Sequence, residues 1–106
     1  MDIIQELQDK IIEFRDRRNW KQFHTPKNLA IAINIETSEL LGQFRWKEEF
    51  IRDKTEEEVA DIFIFLLIFC YETNIKLDDV VLNKLKTNDI KYPVDRFYNS
   101  NRKYDE

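Results

Sequence analysis

The sequence predicts an all-α domain, and three features predict it. Apolar residues recur at three- and four-residue intervals, as one face of a helix requires. The 106 residues include one glycine and two prolines, too few turn-formers for a run of short strands. The one dense apolar stretch, Ile62 to Tyr71, is bounded by polar segments of helix-forming composition. Four main helices are expected, and the length limits them to a single core.

The first helix is expected from Asp2 to about Arg18, with a stripe at Ile4, Leu7, Ile11 and Phe14. Arg15, Arg17 and Arg18 fall near its C-terminus, where cations complement the helix dipole; a phosphate contact is the less favoured reading. An aromatic connector follows, Trp20 to Thr25, and Thr25-Pro26 is a good N-cap and first-turn pair for a second helix running to about Gln43. Arg45 to Lys54 reads as a charged loop with a short helical turn. The third helix is expected to start at Thr55, with Glu58 in the capping-box position, and to run to about Glu72 before a left-handed stop at Asn74. A fourth is expected from near Asp78 to just before Pro93. Residues 1–94 are thus read as the domain and residues 95–106 as a polar, irregular tail.

Composition excludes several classes. With 17 basic and 21 acidic residues the net charge is −4, the wrong sign for general binding to nucleic acid or anionic membrane. As a helix, Ile62 to Tyr71 would be about 15 Å long, half of a bilayer's hydrocarbon thickness, so a buried helix is expected and not a membrane span. Cys70 is the only cysteine, which excludes an internal disulfide and a cysteine-based zinc cage. Met1 to Gln8 carries Asp2 and Glu6 in place of a basic start and apolar run, so a cytoplasmic protein is expected. Because the third helix is apolar on every face and a small chain cannot cover it alone, a partner subunit is expected against it.

The candidate chemistry lies in two acidic pairs. Glu36 and Glu39, and Glu58 and Asp61, are each spaced i, i+3, which places each pair on one helix face. Helical phase aligns Glu36 with Leu29, Ile33 and Leu40, and Asp61 with Phe65 and Ile68, so both carboxylates project from stripes that otherwise read as core. Inward carboxylates on facing helices repel and raise one another's pKa unless a cation is bound. Exposed glutamates at such spacing are common, and Glu58 could instead cap from Thr55; two pairs beside apolar stripes favour the metal. Four carboxylates, no cysteine and no histidine at helical spacing point to a hard ion, Mg²⁺ with Mn²⁺ as a substitute. On the fourth helix, Lys84, Asn88 and Lys91 share a face by their +4 and +3 spacings, as either a solvated row or a phosphate-binding one.

Taken in order, Asn19-Trp-Lys-Gln-Phe-His-Thr-Pro-Lys-Asn28-Leu, Glu36-Thr-Ser-Glu39-Leu, Phe44-Arg-Trp46-Lys, Glu58-Val-Ala-Asp61-Ile, Lys84-Leu-Lys-Thr-Asn88, Lys91-Tyr-Pro and Arg102-Lys-Tyr resemble the MazG-like all-α nucleotide pyrophosphohydrolases, in their dCTP pyrophosphatase branch. The resemblance implies a four-helix MazG-like bundle that assembles as a homotetramer, a dimer of dimers. It implies cleavage of a nucleoside triphosphate, dCTP or a modified dCTP first, to the monophosphate and pyrophosphate. Glu36, Glu39, Glu58 and Asp61 match the family's Mg²⁺-binding carboxylates, and Glu39 is a candidate for orienting the attacking water. Trp20, His24, Asn28 and Trp46 match positions around base and sugar. Asn88 and Lys91, with Lys84 and Arg102 as lesser candidates, are expected at the phosphates. Phe65 stands where some relatives have tyrosine, and Asp89 where many have a basic residue. The alternatives are a pyrophosphohydrolase for dUTP or for triphosphates broadly, and a silent nucleotide-binding helical oligomer.

Overall fold

The computed structural model describes residues 2–106. Among them the fold is all-helical: α1 (Ile3–Asp16), a 3-10 turn (Lys21–Phe23), α2 (Pro26–Gly42), α3 (Arg52–Thr73), α4 (Leu77–Lys91) and a single turn, α5 (Val94–Phe97). The chain forms two compact units, Met1–Ile75 and Lys76–Glu106. None of these helices is long and apolar enough to cross a membrane.

Local chemistry sets the boundaries. The Asp2 carboxylate accepts from the backbone N–H groups of Ile4 and Gln5, and Thr25 Oγ1 accepts from Asn28 N at 3.1 Å with Pro26 in the first turn. α3 starts earlier than the sequence suggests. Its N-cap is Ile51, and Thr55 sits inside the first turn, where its N–H already bonds the Ile51 carbonyl. The i, i+4 pair of Arg52 and Glu56, 3.1 Å apart, runs along that added turn. Asn74 ends α3 as expected, at φ 58°, with Ile75 N returning to Cys70 O and Asn74 N to Tyr71 O in the double closure of a Schellman motif. Asn19, at φ 55°, closes α1 in the same way, through Trp20 N to Arg15 O and Asn19 N to Asp16 O.

In the Met1–Ile75 unit, α3 packs against α2 and, less extensively, α1. Ile12, Leu29 and Ile68 form the centre, with Ile11, Phe65 and Phe69 around them, and Leu67 is fully buried. Gln8 Nε2 donates to the Leu67 carbonyl at 3.0 Å and pins α1 to α3. The buried face of α1 is rotated from the expected one. It runs through Ile4, Gln8, Ile11, Ile12 and Arg15, whereas Leu7 and Phe14 are exposed. Of the apolar run on α3, only Leu67, Ile68 and Cys70 are buried, and Ile64 and Tyr71 are exposed.

In the Lys76–Glu106 unit, α4 ends in an aromatic knot. Tyr92 meets the rings of Phe97 and Tyr104 edge-on, and Lys91 Nζ lies 4.8 Å from the Tyr104 ring centroid. The segment expected to be irregular therefore holds α5 and folds Tyr104 back against the end of α4.

Candidate metal centre

The pairing of α2 with α3 brings Glu36 together with Glu58 and Asp61. One oxygen from each of the three lies within 4.8 Å of the other two. Glu36 and Glu58 are half-buried and Asp61 is exposed. Glu39, one turn beyond Glu36, is exposed and lies outside that closest group, yet its charge acts on both Glu36 and Glu58. No lysine or arginine forms an ion pair with any of the four among the described residues.

The electrostatics follow from this placement. Loss of solvent, then the Glu39 charge, the adjoining Glu58 carboxyl and the Asp61 charge push the Glu36 carboxyl up to about 7 from an ordinary value of 4.5. Glu58 is raised as well, first by loss of solvent and then by the adjoining Glu39 carboxyl. Glu36 Oε2 and Glu58 Oε2 are buried and have no hydrogen-bond partner. Two unpaired, buried carboxylate oxygens beside a third acidic group are costly for a protein to hold. They fit a cation. The donors are all hard oxygens, and ligands around an octahedral ion with bonds of about 2.0–2.1 Å stand roughly 3–4 Å apart, close to the spread here. The cluster therefore suits a divalent metal.

Beside it lies a cavity of about 300 Å³ whose wall includes Asp61, Trp20, His24, Phe65 and Arg15. Its elements trace to the sequence: the left-handed Asn19 turns the chain so that Trp20 returns to the end of α1, and the 3-10 turn delivers His24. His24 is half-buried, and its Nδ1 is buried without a partner. Loss of solvent, then the Arg15 charge, lower its pKa, against an opposing pull from Glu72. Trp20 and His24, matched to base and sugar positions, thus share a wall with Asp61 of the acidic cluster. Asn28 is exposed and spends its side-chain amide on the Phe23 carbonyl at 3.1 Å. Trp46 is 93% exposed on a backbone at φ 64°, a conformation that costs a bulky residue energy. In the other unit, Asn88 and Lys91 are half-buried and Lys84 and Arg102 exposed.

The sequence reading missed one site residue. Arg15, grouped there with Arg17 and Arg18 as dipole compensation, is 1% exposed and pairs with Asp16 at 3.0 Å and Glu72 at 3.5 Å. Its place one turn after Ile11, on the stripe, was the available signal.

Comparison with known proteins places the chain in a family. The chain is 34% identical over 104 aligned residues to dCTP pyrophosphatase 1 of Homo sapiens, covering 89% of this chain and 61% of that protein. To dCTP pyrophosphatase 1 of Bos taurus it is 36% identical over 92 residues, covering 77% and 54%. It thus spans little more than half the length of these curated relatives. The crystal structure of a pyrophosphatase from Archaeoglobus fulgidus DSM 4304 superposes with a TM-score of 0.83 at 39% identity, covering 88% of this chain and 94% of that one. Residues 31–106, which carry all four carboxylates, match the MazG-like family, and the chain belongs to that family.

Proposed function

We propose that the chain is a Mg²⁺-dependent nucleoside triphosphate pyrophosphohydrolase that cleaves a deoxynucleoside triphosphate, dCTP or a modified dCTP before others, to the monophosphate and pyrophosphate. The observation that carries this reading is the convergence of Glu36, Glu58 and Asp61, with two buried oxygens lacking any partner. The names of the relatives support the substrate.

Glu36, Glu58 and Asp61 hold the ion. When bound, Mg²⁺ would neutralise charge on the polyphosphate and make a coordinated water easier to deprotonate. Glu39 serves as the general base that orients the attacking water and accepts its proton; its exposure beside the cluster supports this role. Trp20 stacks on the base, and His24 offers its unpaired Nδ1 to the base edge or sugar. Asn28 supports the connector through Phe23, and Trp46, already free of its own chain, closes over the nucleotide. Asn88 and Lys91, with help from Lys84 and Arg102, bind phosphate oxygens. The exposed Ile64 and Tyr71 of α3 fit assembly as a homotetramer built from dimers, in the cytoplasm.

Pyrophosphate release from a panel of deoxy- and ribonucleoside triphosphates, with Mg²⁺ and with chelator, tests the reading. The expected result is release that needs the ion and is fastest with dCTP. Release fastest with dUTP, or equal across the panel, replaces the substrate. Tight nucleotide binding with no release refutes the enzyme.

A further inference from the structure

The core encloses the Arg15 guanidinium, and only part of its donor set is committed. Its Nε donates to Asp16 Oδ1 at 3.0 Å, and Nη2 lies 3.0 Å from the same oxygen. Tyr71 stands to one side, its ring centroid 5.5 Å from the guanidinium carbon. Nη1 is different. Glu72 Oε1 is 3.5 Å away and attracts it through charge, but Nη1 is buried and completes no hydrogen bond. The same side chain forms part of the cavity wall with Trp20, Phe65, Ile68, His24 and Asp61.

A buried donor left without a hydrogen bond is costly, and in a cavity whose wall is mostly apolar apart from His24 and Asp61 the guanidinium is the cationic donor available to a ligand's acceptor. Trp20 and Phe65 offer flat aromatic surface in a space at the small end of ligand pockets. Asp61 belongs to both cavity and acidic cluster, so the two are contiguous. On the reading that the chain cleaves a nucleoside triphosphate, we propose that Arg15 is a specificity-determining residue: its Nη1 donates a hydrogen bond to the ring carbonyl of a pyrimidine base lying in this cavity.

Two structural roles of Arg15 have to be separated from recognition, its pairing with Glu72 and its packing. Arg15→Lys keeps the charge beside Glu72 and loses the fork. Arg15→Gln keeps a donor and loses the charge. The probe is dCTP, whose base carries one carbonyl, against 2-thio-dCTP, in which sulfur is a poor acceptor. The wild-type chain is expected to lose about 10-fold or more in kcat/KM on thio substitution, the range of a hydrogen bond from a charged donor. In Arg15→Lys that discrimination is expected to shrink to within about 3-fold, because dCTP turnover falls while thio turnover barely moves.

Equal losses on both substrates, accompanied by a lower Tm, would make Arg15 structural and overturn the proposal. Should the wild-type chain cleave neither substrate, the enzymatic reading falls separately. Titration calorimetry with dCMP and 2-thio-dCMP then decides: tighter binding of dCMP that Arg15→Lys abolishes supports the proposal. No dCMP binding, or binding blind to the sulfur, overturns it.

Discussion

Two charged clusters border the same cavity, and they are built on opposite principles. At Arg15 the protein supplies both signs: a buried guanidinium with Asp16 and Glu72 beside it. At Glu36, Glu58, Asp61 and Glu39 it supplies one sign only, with two buried oxygens unpaired. Lysines and arginines are plentiful in this chain, and Arg52 lies within a turn of Glu56 on the same helix as Glu58. A base on the inner face would have neutralised the cluster. Its absence leaves the countercharge to be supplied from outside, whereas Arg15 is held by its own chain and has only its Nη1 end left without a hydrogen-bond partner. On the proposed reading, one cluster takes a cation and the other a neutral acceptor.

The sharpest way to break this contrast is to remove charge from the acidic side. Glu58→Gln keeps the shape and takes away one ligand charge; pyrophosphate release is expected to fall about 100-fold or more, in the range of losing a group that stabilises transition-state charge. Glu39→Gln is expected to lower kcat with KM little changed, because a base acts on the attacking water and not on substrate affinity. Steady-state rates at saturating Mg²⁺ check both. An unchanged kcat in Glu39→Gln removes that residue from the chemistry.

The acidic pairs and the helices that carry them were readable because both follow helical period, three or four residues at a time. The convergence of α2 on α3 was not, since spacing within one helix says nothing about which helix faces which. Thr55 misled the boundary of α3: a threonine three residues before a glutamate satisfies the capping-box pattern, but the helix had already begun at Arg52. Arg15 was misread because arginine near a helix C-terminus has an ordinary surface explanation, and only the phase relation to Ile11 argued for burial. The left-handed turn at Asn19 was hidden for a different reason. Asparagine precedes a tryptophan there in an aromatic connector, so no glycine or proline flagged the reversal.

A second, smaller effect appears in the metal-free protein. The Glu36 carboxyl is raised to about 7 and Glu58 is raised too, so the folded state holds protons more tightly than the unfolded chain. Stability from these groups is fully present below their ordinary value near 4.5 and is lost as pH rises through about 7. In chelator, Tm is expected to fall across that window. On the proposal that the ionised set holds Mg²⁺, the ion at pH above 7 and about 100 times its Kd is expected to raise Tm by roughly 10 °C. Arg15, paired within the chain, should confer no such ion response. Calorimetric scans with chelator and with Mg²⁺ at three pH values check this, and a Tm indifferent to both would mean the acidic cluster does not hold the ion.

The smallest expected effect separates the two asparagine stops. Both Asn19 and Asn74 adopt the left-handed conformation, which costs a residue with a β-carbon about 1–2 kcal/mol when its side chain gives no local compensation. Asn74→Ala is expected to cost about 1 kcal/mol by urea unfolding, and Asn74→Gly to be nearly neutral. Asn19→Ala carries the same backbone penalty, but it also loosens the turn that returns Trp20 to Arg15 and so bears on the cavity wall. At matched loss of stability, Asn19→Ala should weaken dCMP binding and Asn74→Ala should not. Equal binding in the two variants would mean that the turn at Asn19 only ends a helix, and that Trp20 reaches the cavity without its help.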